Sequence, residues 1–558
     1  MASRVLTVAT LVAAVQLAGC SAFRSYDSEL QETNQHLSSG NVDAALQLLE
    51  KNNKGEDKDL LYYFEKGELL RSKGDLAGSQ LAWRSADDVV FKWEESVKLD
   101  TDKYLSQFGS YLVNDKVRRY EGYDYEKVML TTQMALNLLA QNDFDGARTE
   151  IKKTHEREAV IAELRDKEYL KREEEAEKEG VKTEYKDLQG YPVAALDAPE
   201  VVGLKNSYQS AFSHYLSGYV YEALGEKGLA APGYRKAAEL RPNTALLDQA
   251  LLALDKSSAK AGESDVLIVV QTGLAPARDS IRIPLPLPIQ DNLVITPLSF
   301  PIIKEDTSTA HLSEIQLNDK ALAAPGYRKA AELRPNTPLL EQALKDLDKK
   351  SAKDEDSDIL IVVQSGLAPA RDSIRVPLPL PISGNVVITP LSFPIIKPDT
   401  STTPFAQIGV DGQQLNLTLL NSTTAMSRRA LRDDMPGIIV RTTVRAVTRG
   451  VAQKKINETN PLAGLAVGIT SAVLEGADTR TWRTLPDNTQ VVRLRLKKGE
   501  HQVTLPSAVG GSVVKVTVDQ RYQVISLRAV GNQVFASGLA AHVVSSSTPT
   551  AVASLKQP

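Results

Sequence analysis

A stretch of 93 residues occurs twice in tandem, and no other feature restricts the fold so tightly. Ala230–Pro242 recurs as Ala323–Pro335, and Ser280–Pro288 as Ser373–Pro381 with Val376 in place of Ile283. Ile295–Ile303 recurs as Ile388–Ile396. The offset is 93 throughout, and 66 of 82 positions are identical between 228–309 and 321–402. Identity of this order marks a recent copying event rather than an old structural repeat. Each copy holds a helix, then the continuous run Asp265–Val270 (Asp358–Val363), which reads as a buried strand. A Gly-Leu-Ala-Pro-Ala-Arg turn follows from Gly273 (Gly366), then a stretch with proline at every second place. Proline removes ladder donors, so that stretch is an edge or an extended segment. A partner could add to it, although structural punctuation is the simpler role. The first copy's helix at 229–240 has a partner helix ahead of it at 206–224. The second copy's helix at 322–333 follows Ser308–Lys320, which is too short and polar to serve. One copy is therefore expected in the ancestral place and the other as an insertion, so that removing 228–320 leaves a folded chain.

The amino terminus reads as a leader. Met-Ala-Ser-Arg precedes an apolar run from Val5 to Val15, too short to span a bilayer, which takes about 20 residues. Leu17-Ala18-Gly19-Cys20 follows, and Cys20 is the only cysteine in the chain. These four residues resemble the lipobox of bacterial lipoproteins, in which small residues fit the signal peptidase and the cysteine sulfur takes the lipid. The resemblance implies a mature chain that starts at Cys20 and carries acyl chains; more than one chain gives stable anchoring. Ser21, where inner-membrane lipoproteins usually carry Asp, implies the outer membrane. No later segment is apolar for 18 residues, so no spanning helix is expected.

From about 26 to 256 the chain reads as helix. Tyr63–Ala86 resembles a tetratricopeptide repeat, with Gly67 where two helices come close, Gly74 at the turn, and Trp83 and Ala86 facing inward. Gly218–Gly225 with Ala230, Tyr234, Ala237 and Pro242 is a fuller match, and Gly40–Ala45 and Asn142–Ala147 are weaker ones. Gly40 and Gly74 are 34 residues apart, and Asn142 lies 68 beyond Gly74. Such pairs cannot bury their apolar faces alone and must stack. A plain helical bundle with chance spacing is the alternative. Lys152–Lys186 is dense in Glu, Lys and Arg and reads as a solvated helical arm, ended by Gly190-Tyr-Pro192.

Thr423–Met435 reads as a capped helix leading to Pro436, followed by a second helix from Gly437 to about Lys455. That second helix places Arg441, Arg445 and Arg449 on one face, able to grip an acidic partner or lipid phosphates, or else solvated and salt-bridged. Leu462–Leu474 is apolar with Gly464 and Gly468 four apart, and at 13 residues reads as a core helix. Gln490–Lys497, Gln502–Leu505, Val513–Val518, Tyr522–Val530 and Gln533–Ala536 alternate as a small antiparallel sheet or sandwich. The tail from Ser545 is expected to be disordered.

The expected class is therefore α+β and multidomain. Its parts are a leader (1–19), a tetratricopeptide-like helical domain with its arm (20–258, arm 152–188), and a β-rich region carrying the duplication (259–420, units 228–320 and 321–413). A helical segment (421–480), an antiparallel β domain (481–544) and the tail (545–558) complete it. A net charge of −4 lacks the basic excess of a nucleic-acid binder, and a 42% apolar, 24% charged composition fills ordinary cores. His36, His155, His214, His311, His501 and His542 show no paired metal spacing, and no nucleophile elbow or phosphate loop occurs. No metal, cofactor or catalytic residue is expected, although a site built from distant residues would leave no motif.

Tyr120–Lys127, Gly273–Arg278, Ala425–Arg429 and Ala477–Pro486 carry a longer resemblance. Minus one copy of the duplication, the whole chain resembles a family of Gram-negative outer-membrane lipoproteins with no assigned activity, a tetratricopeptide-like first half and a β-rich end. The resemblance implies a periplasm-facing, lipid-anchored protein of the cell envelope with protein partners. Three functions follow as expectations: a scaffold for partner proteins, an oligomeric envelope-assembly or export subunit, and an enzyme acting on cell wall or glycan, the last least expected.

Overall fold

The computed structural model describes residues 26–101, 119–179, 192–254, 263–289, 292–303, 357–364, 371–382, 385–396, 402, 405–440, 478–538 and 541–544. Its first half is built from helical hairpins: α1 (Tyr26–Ser38) with α2 (Val42–Asn52), α3 (Leu60–Lys73) with α4 (Leu76–Leu99), and α5 (Asp124–Leu139) with α6 (Phe144–Glu179). Two short turns, α7 (Val193–Leu196) and α8 (Pro199–Val202), lead to a further hairpin of α9 (Ala211–Ala223) and α10 (Lys227–Leu240), and α11 (Ala245–Ala253) closes the series.

One turn device recurs in all four hairpins. Gly40, Gly74, Asn142 and Gly225 sit in the left-handed region, with φ of 82°, 88°, 60° and 78°. Each donates its N–H to the carbonyl three residues back, and the next residue donates to the carbonyl five back, as in Gly74 N to Arg71 O and Asp75 N to Leu70 O. That pairing satisfies the carbonyls left over at a helix end, and a left-handed residue is what it needs. The following Asn41, Asp75 and Asp143 then accept from Ala44 N, Gly78 N and Gly146 N at 3.3, 2.8 and 2.8 Å, capping the second helix. A Gly/Asn-Asn/Asp step thus both stops one helix and starts the next.

Packing repeats with the turns. Seven residues before them lie Thr33, Gly67, Ala135 and Gly218, and sixteen residues after those lie Leu49, Trp83, Ile151 and Tyr234; all but Gly67 and Gly218, which are buried too, present side chains to the interior. A Cβ on Gly67 would fall 2.1 Å from Trp83 Nε1, and one on Gly218 2.5 Å from Tyr234 Cδ1. Large rings therefore lie directly on the backbone of the preceding helix, each removing about 150–250 Å² from water. The expected solvated arm is only partly so. Along α6, Arg157 is buried against Asp87 (2.8 Å) and Glu94 of α4, and Arg165 meets Asp124 of α5 at 2.6 Å. The charge density that reads as solvation is on this side a seam of ion pairs clamping α6 to its neighbours.

The strands form two main sheets. The six-stranded one runs β14–β13–β1–β4–β10–β9, from β1 (Glu263–Thr272), β4 (Ser357–Gln364), β9 (Thr418–Ser422), β10 (Asn488–Lys497), β13 (Tyr522–Val530) and β14 (Gln533–Ser537). β1 also pairs with β10, and β4 with β13. The five-stranded one, all antiparallel, runs β15–β12–β11–β7–β8, from β7 (Gln407–Val410), β8 (Gln413–Asn416), β11 (Gly499–Thr504), β12 (Val513–Val518) and β15 (Ala541–Val544). Two separate hairpins, β2 (Arg278–Ile289) with β3 (Asn292–Ile303) and β5 (Arg371–Ile382) with β6 (Asn385–Ile396), carry the proline alternation. Pro284, Pro286 and Pro288 share one register class with their opposites Pro297, Ile295 and Leu293. Since proline cannot donate, these are positions whose N–H would point away from the partner strand, and the hairpin's outer edge is blunted against further pairing.

The architecture is α+β. Two sequence expectations need correction. The carboxy-terminal strands are not a purely antiparallel unit of their own: β1 (from Glu263), far upstream of β10 (from Asn488) and β13 (from Tyr522), lies parallel to β13 and antiparallel to β10. Val266 to Val270 are fully buried there, so the continuous β-branched run is a central strand covered on both faces. And α12, residues 423–440, runs through Pro436 without a break, because proline's fixed φ is compatible with helix and only one backbone bond is lost. Among the described residues no helix is long and apolar enough to cross a membrane. The 322–333 helix, Ser308–Lys320, Gly190–Tyr191, the 462–474 helix and the tail from Ser545 lie outside the described residues.

Candidate functional site

The residues singled out from sequence, Leu17, Ala18, Gly19 and Cys20, and Arg441, Arg445 and Arg449, all lie outside the described residues. Two other places gather chemistry, and neither leaves a local motif.

The first is a buried node where four distant stretches meet: 120–127, 273–278, 425–429 and 478–487. Glu126, fully buried, accepts from Tyr120 Oη (2.5 Å), Tyr123 N (2.9 Å), Trp482 N (2.7 Å) and Thr481 Oγ1 (2.8 Å). Glu65 on α3 accepts from Arg483 N at 2.7 Å and Thr484 N at 2.9 Å. Two carboxylates thus hold one irregular segment by its backbone. Trp482 is stacked on Phe64 at 4.4 Å and edge-on to Trp83 at 6.0 Å. Tyr125 Oη reaches Ser427 Oγ and Thr481 Oγ1 at 3.3 and 3.1 Å. Arg483 donates to Ala275 O, and Ala275 N to Leu485 O at 2.5 Å. Asp487 caps α12 by accepting from Thr424 N and Oγ1 at 2.8 and 2.6 Å. The Arg278 guanidinium lies 3.8 Å above the Tyr123 ring with Nε and Nη1 unpaired, the aromatic face standing in for a counter-ion.

Burial pushes the Glu65 carboxyl up to about 7, against the hydrogen bonds from Thr484 and Arg483 that favour its anion. Burial likewise raises Glu126. Farther along α3, Glu68 pairs with Arg528 of β13 at 3.0 Å, and Arg71 reaches Gln133 of α5, Gln271 of β1 and Ser526 of β13. One face of α3, with polar groups at 65, 68 and 71, fastens the helical half to the sheet. The Glu65 and Glu126 carboxylates are engaged by backbone and side-chain donors of the fold, which makes them points of attachment between distant segments.

The second place is an open cleft of about 370 Å³ between α6, α9 and α10, lined by His155, Glu158, His214, Tyr221, Leu229, Pro232, Gly233 and Lys236. Gly233 brings α10 close to α9: a Cβ there would meet Gly218 N at 2.7 Å and His214 O at 2.9 Å. Pro232 sits inside α10. The His155 and His214 rings stack, centroids 5.2 Å apart and 14° from parallel. His214 Nε2 lies 3.1 Å from Glu158 Oε2 without a hydrogen bond between them, and Glu158 Oε2 accepts from Gln209 Nε2 at 3.3 Å; His214 Nε2 and Glu158 Oε1 are both buried with no hydrogen-bond partner. Burial, then the neighbouring His214, lowers the His155 pKa, so its ring stays neutral near pH 7. Leu229, at 52% exposure, forms an apolar rim. The cleft therefore offers an unsatisfied acceptor beside an apolar lip, a fit for a side chain bringing a donor and a hydrocarbon stem. Among the described residues no group of three or more His, Cys, Asp or Glu is placed to hold a metal ion. His155 and His214 are 59 apart in sequence, and nothing short of the helical phasing could have paired them.

No protein-family model matches the chain, and no curated protein matches it.

Proposed function

We propose that this chain is a scaffold, tethered to the outer membrane through lipid on Cys20 and facing the periplasm, that binds protein partners on stacked tetratricopeptide-like hairpins. The observation that carries the reading is the recurrence of one turn in four hairpins, phased at 34 and 68 residues in the first three, with a large ring lying on a glycine sixteen residues earlier in two of them. Hairpins of this kind stack into surfaces that accept extended or helical segments of other proteins. The cleft beside α10 belongs to that stack and supplies an acceptor and an apolar rim. The buried polar node supports the same reading, since its carboxylates are engaged by backbone donors rather than turned toward a reactant.

The test combines the two halves of the reading. The full chain should sediment with membranes and release into the soluble fraction when Cys20→Ser is introduced. A photo-crosslinking residue at Leu229 should capture a discrete envelope protein, and Glu158→Gln should abolish that capture without altering the fold. Membrane association that survives Cys20→Ser, or capture indifferent to Glu158, overturns the corresponding half.

A further inference from the structure

Both copies of the duplicated strand are registered to one gap. β1 sets Val266 opposite Leu494 and Leu267 opposite Arg493 on β10, and Ile268 opposite Ile525 on β13. β4 sets Ile359 opposite Leu494, Leu360 opposite Arg493, and Ile361 opposite Ile525. Every residue of the second set is 93 beyond its counterpart in the first, and Val266 is matched to Ile359 where the two strands meet. The far edge of β10 is taken by β9, and that of β13 by β14. Each of these strands therefore has one edge left, and both edges face the same gap. Neighbouring strands lie about 4.8 Å apart, and a strand has two edges. β1 and β4 are each paired to the same residues of β10 and of β13, which two strands lying side by side cannot both do, so the six-stranded order superposes two alternatives and the gap takes one strand at a time.

The seat reaches beyond the strand, and its fixed walls lie outside the duplicated unit. Arg493 bonds Asp265 through Nε and Nη2, both at 3.0 Å, and Glu222 at 2.6 Å, and lies 3.3 Å from Tyr234 Oη. Glu222 precedes the duplication and Arg493 follows it. Asp265 and Tyr234 lie within it, and the second unit supplies Asp358 and Tyr327 at the same offset. The run Leu-Ile-Val-Val-Gln is identical in the two strands. Because the units are in tandem, looping out either 228–320 or 321–413 leaves the remaining chain in the same order.

We propose that the β10–β13 gap is a strand-acceptor site with two competing occupants in one chain, so that the protein folds into two isomers, one seating 228–320 and the other 321–413. The unseated unit is carried outside the sheet in each. Exchange requires unpairing a buried strand from both neighbours, so the choice is made during folding and persists on the timescale of unfolding.

The test uses the full-length chain with Cys20→Ser, carrying Val266→Cys, Ile359→Cys and Leu494→Cys together. Mild oxidation of the folded protein, followed by peptide mapping, reads which cysteine faces position 494. The expected result is both the 266–494 and the 359–494 disulfides in comparable amounts. Only one of them, a 266–359 link, or links between molecules would overturn the proposal. A second measurement needs no substitution. Hydrogen exchange by mass spectrometry separates the peptides around Asp265–Gln271 and Asp358–Gln364, which differ in mass through Val266 and Ile359. Each should show a protected and an exchanged population, with complementary fractions; one strand wholly protected and the other wholly exchanged sinks the idea.

Discussion

Tyr234→Ala offers a quantitative check on shared seating. The Tyr234 ring is fully buried, lies against the Gly218 backbone, and its hydroxyl donates to Glu222 at 2.6 Å. In a chain with one occupant, truncating a buried aromatic ring of this size costs about 3–5 kcal/mol from lost transfer and an unfilled cavity. With two interchangeable units the damaged one is simply left unseated. The cost is then the loss of one of two equal states, RT ln 2, or about 0.4 kcal/mol. Tyr327→Ala alone costs the same small amount, and only the double variant shows the full 3–5 kcal/mol. The expected non-additivity is therefore several kcal/mol, well above the few tenths expected of independent sites. Urea unfolding of the four chains, followed by circular dichroism, measures it. If Tyr234→Ala alone is as damaging as the double variant, the first unit owns the seat and the reasoning fails.

Further expectations follow from the node and the seat. Glu126→Gln replaces one acceptor oxygen by a donor where Tyr123 N and Trp482 N both need an acceptor; the loss should be about 1–3 kcal/mol, read as a red shift and lower midpoint in tryptophan fluorescence, since Trp83, Trp93 and Trp482 share this cluster. Arg493→Met strands Glu222 and Asp265, or Asp358 in the other isomer, as buried acids and should cost about 3–5 kcal/mol whichever unit is seated. The pH dependence of stability should have two limbs. Glu65, raised to about 7, contributes fully below its unfolded value near 4.5 and loses about 3 kcal/mol as pH rises through 7. Asp87 and Asp124 oppose it at the acid end: burial pushes both up, but Arg157 beside Asp87 and Arg165 beside Asp124 outweigh it and hold them low, so their contribution is lost as pH falls below 4. In Glu65→Gln the alkaline limb should flatten while the acid limb stays, as thermal melts across pH 3–8 would show.

The helical half was largely legible because its signals are local. A turn residue, a cap and a Gly–aromatic contact sixteen residues apart repeat within about 20 residues, and each works through adjacent backbone. The strands from Asn488 to Ser537 were legible for the same reason, through alternation. Non-local pairing was not: nothing in Asp265–Val270 says whether it joins a neighbour or strands as distant as those beginning at Asn488 and Tyr522, since a buried parallel strand and a buried helix segment share the same apolar run. The charged stretch along α6 misled for a related cause. Arg157 and Arg165 look like solvated residues until Asp87, Glu94 and Asp124 arrive from two other helices.

The node shows how distant stretches with no shared motif can form one structure. Four stretches stood out, at 120–127, 273–278, 425–429 and 477–486, and no chemical motif linked them. In the fold they touch: Glu126 holds Thr481 and Trp482, Tyr125 reaches Ser427, Arg278 lies on Tyr123, and Arg483 binds Ala275. A segment without regular structure has backbone N–H groups that neither helix nor strand will pair, and burying it requires acceptors at fixed places. Glu65 and Glu126 are those acceptors, each using both carboxyl oxygens, and a shorter side chain or one with a single acceptor oxygen would leave donors unpaired at a cost of about 1–3 kcal/mol each. The same logic explains how a 93-residue duplication is tolerated. The bonds of Glu65 and Glu126 to 481–484 and of Glu68 to Arg528 are made outside the copied unit, and those that reach into it, Arg71 to Gln271 and Arg483 to Ala275, fall on residues that the second copy repeats as Gln364 and Ala368, so either copy meets the same frame.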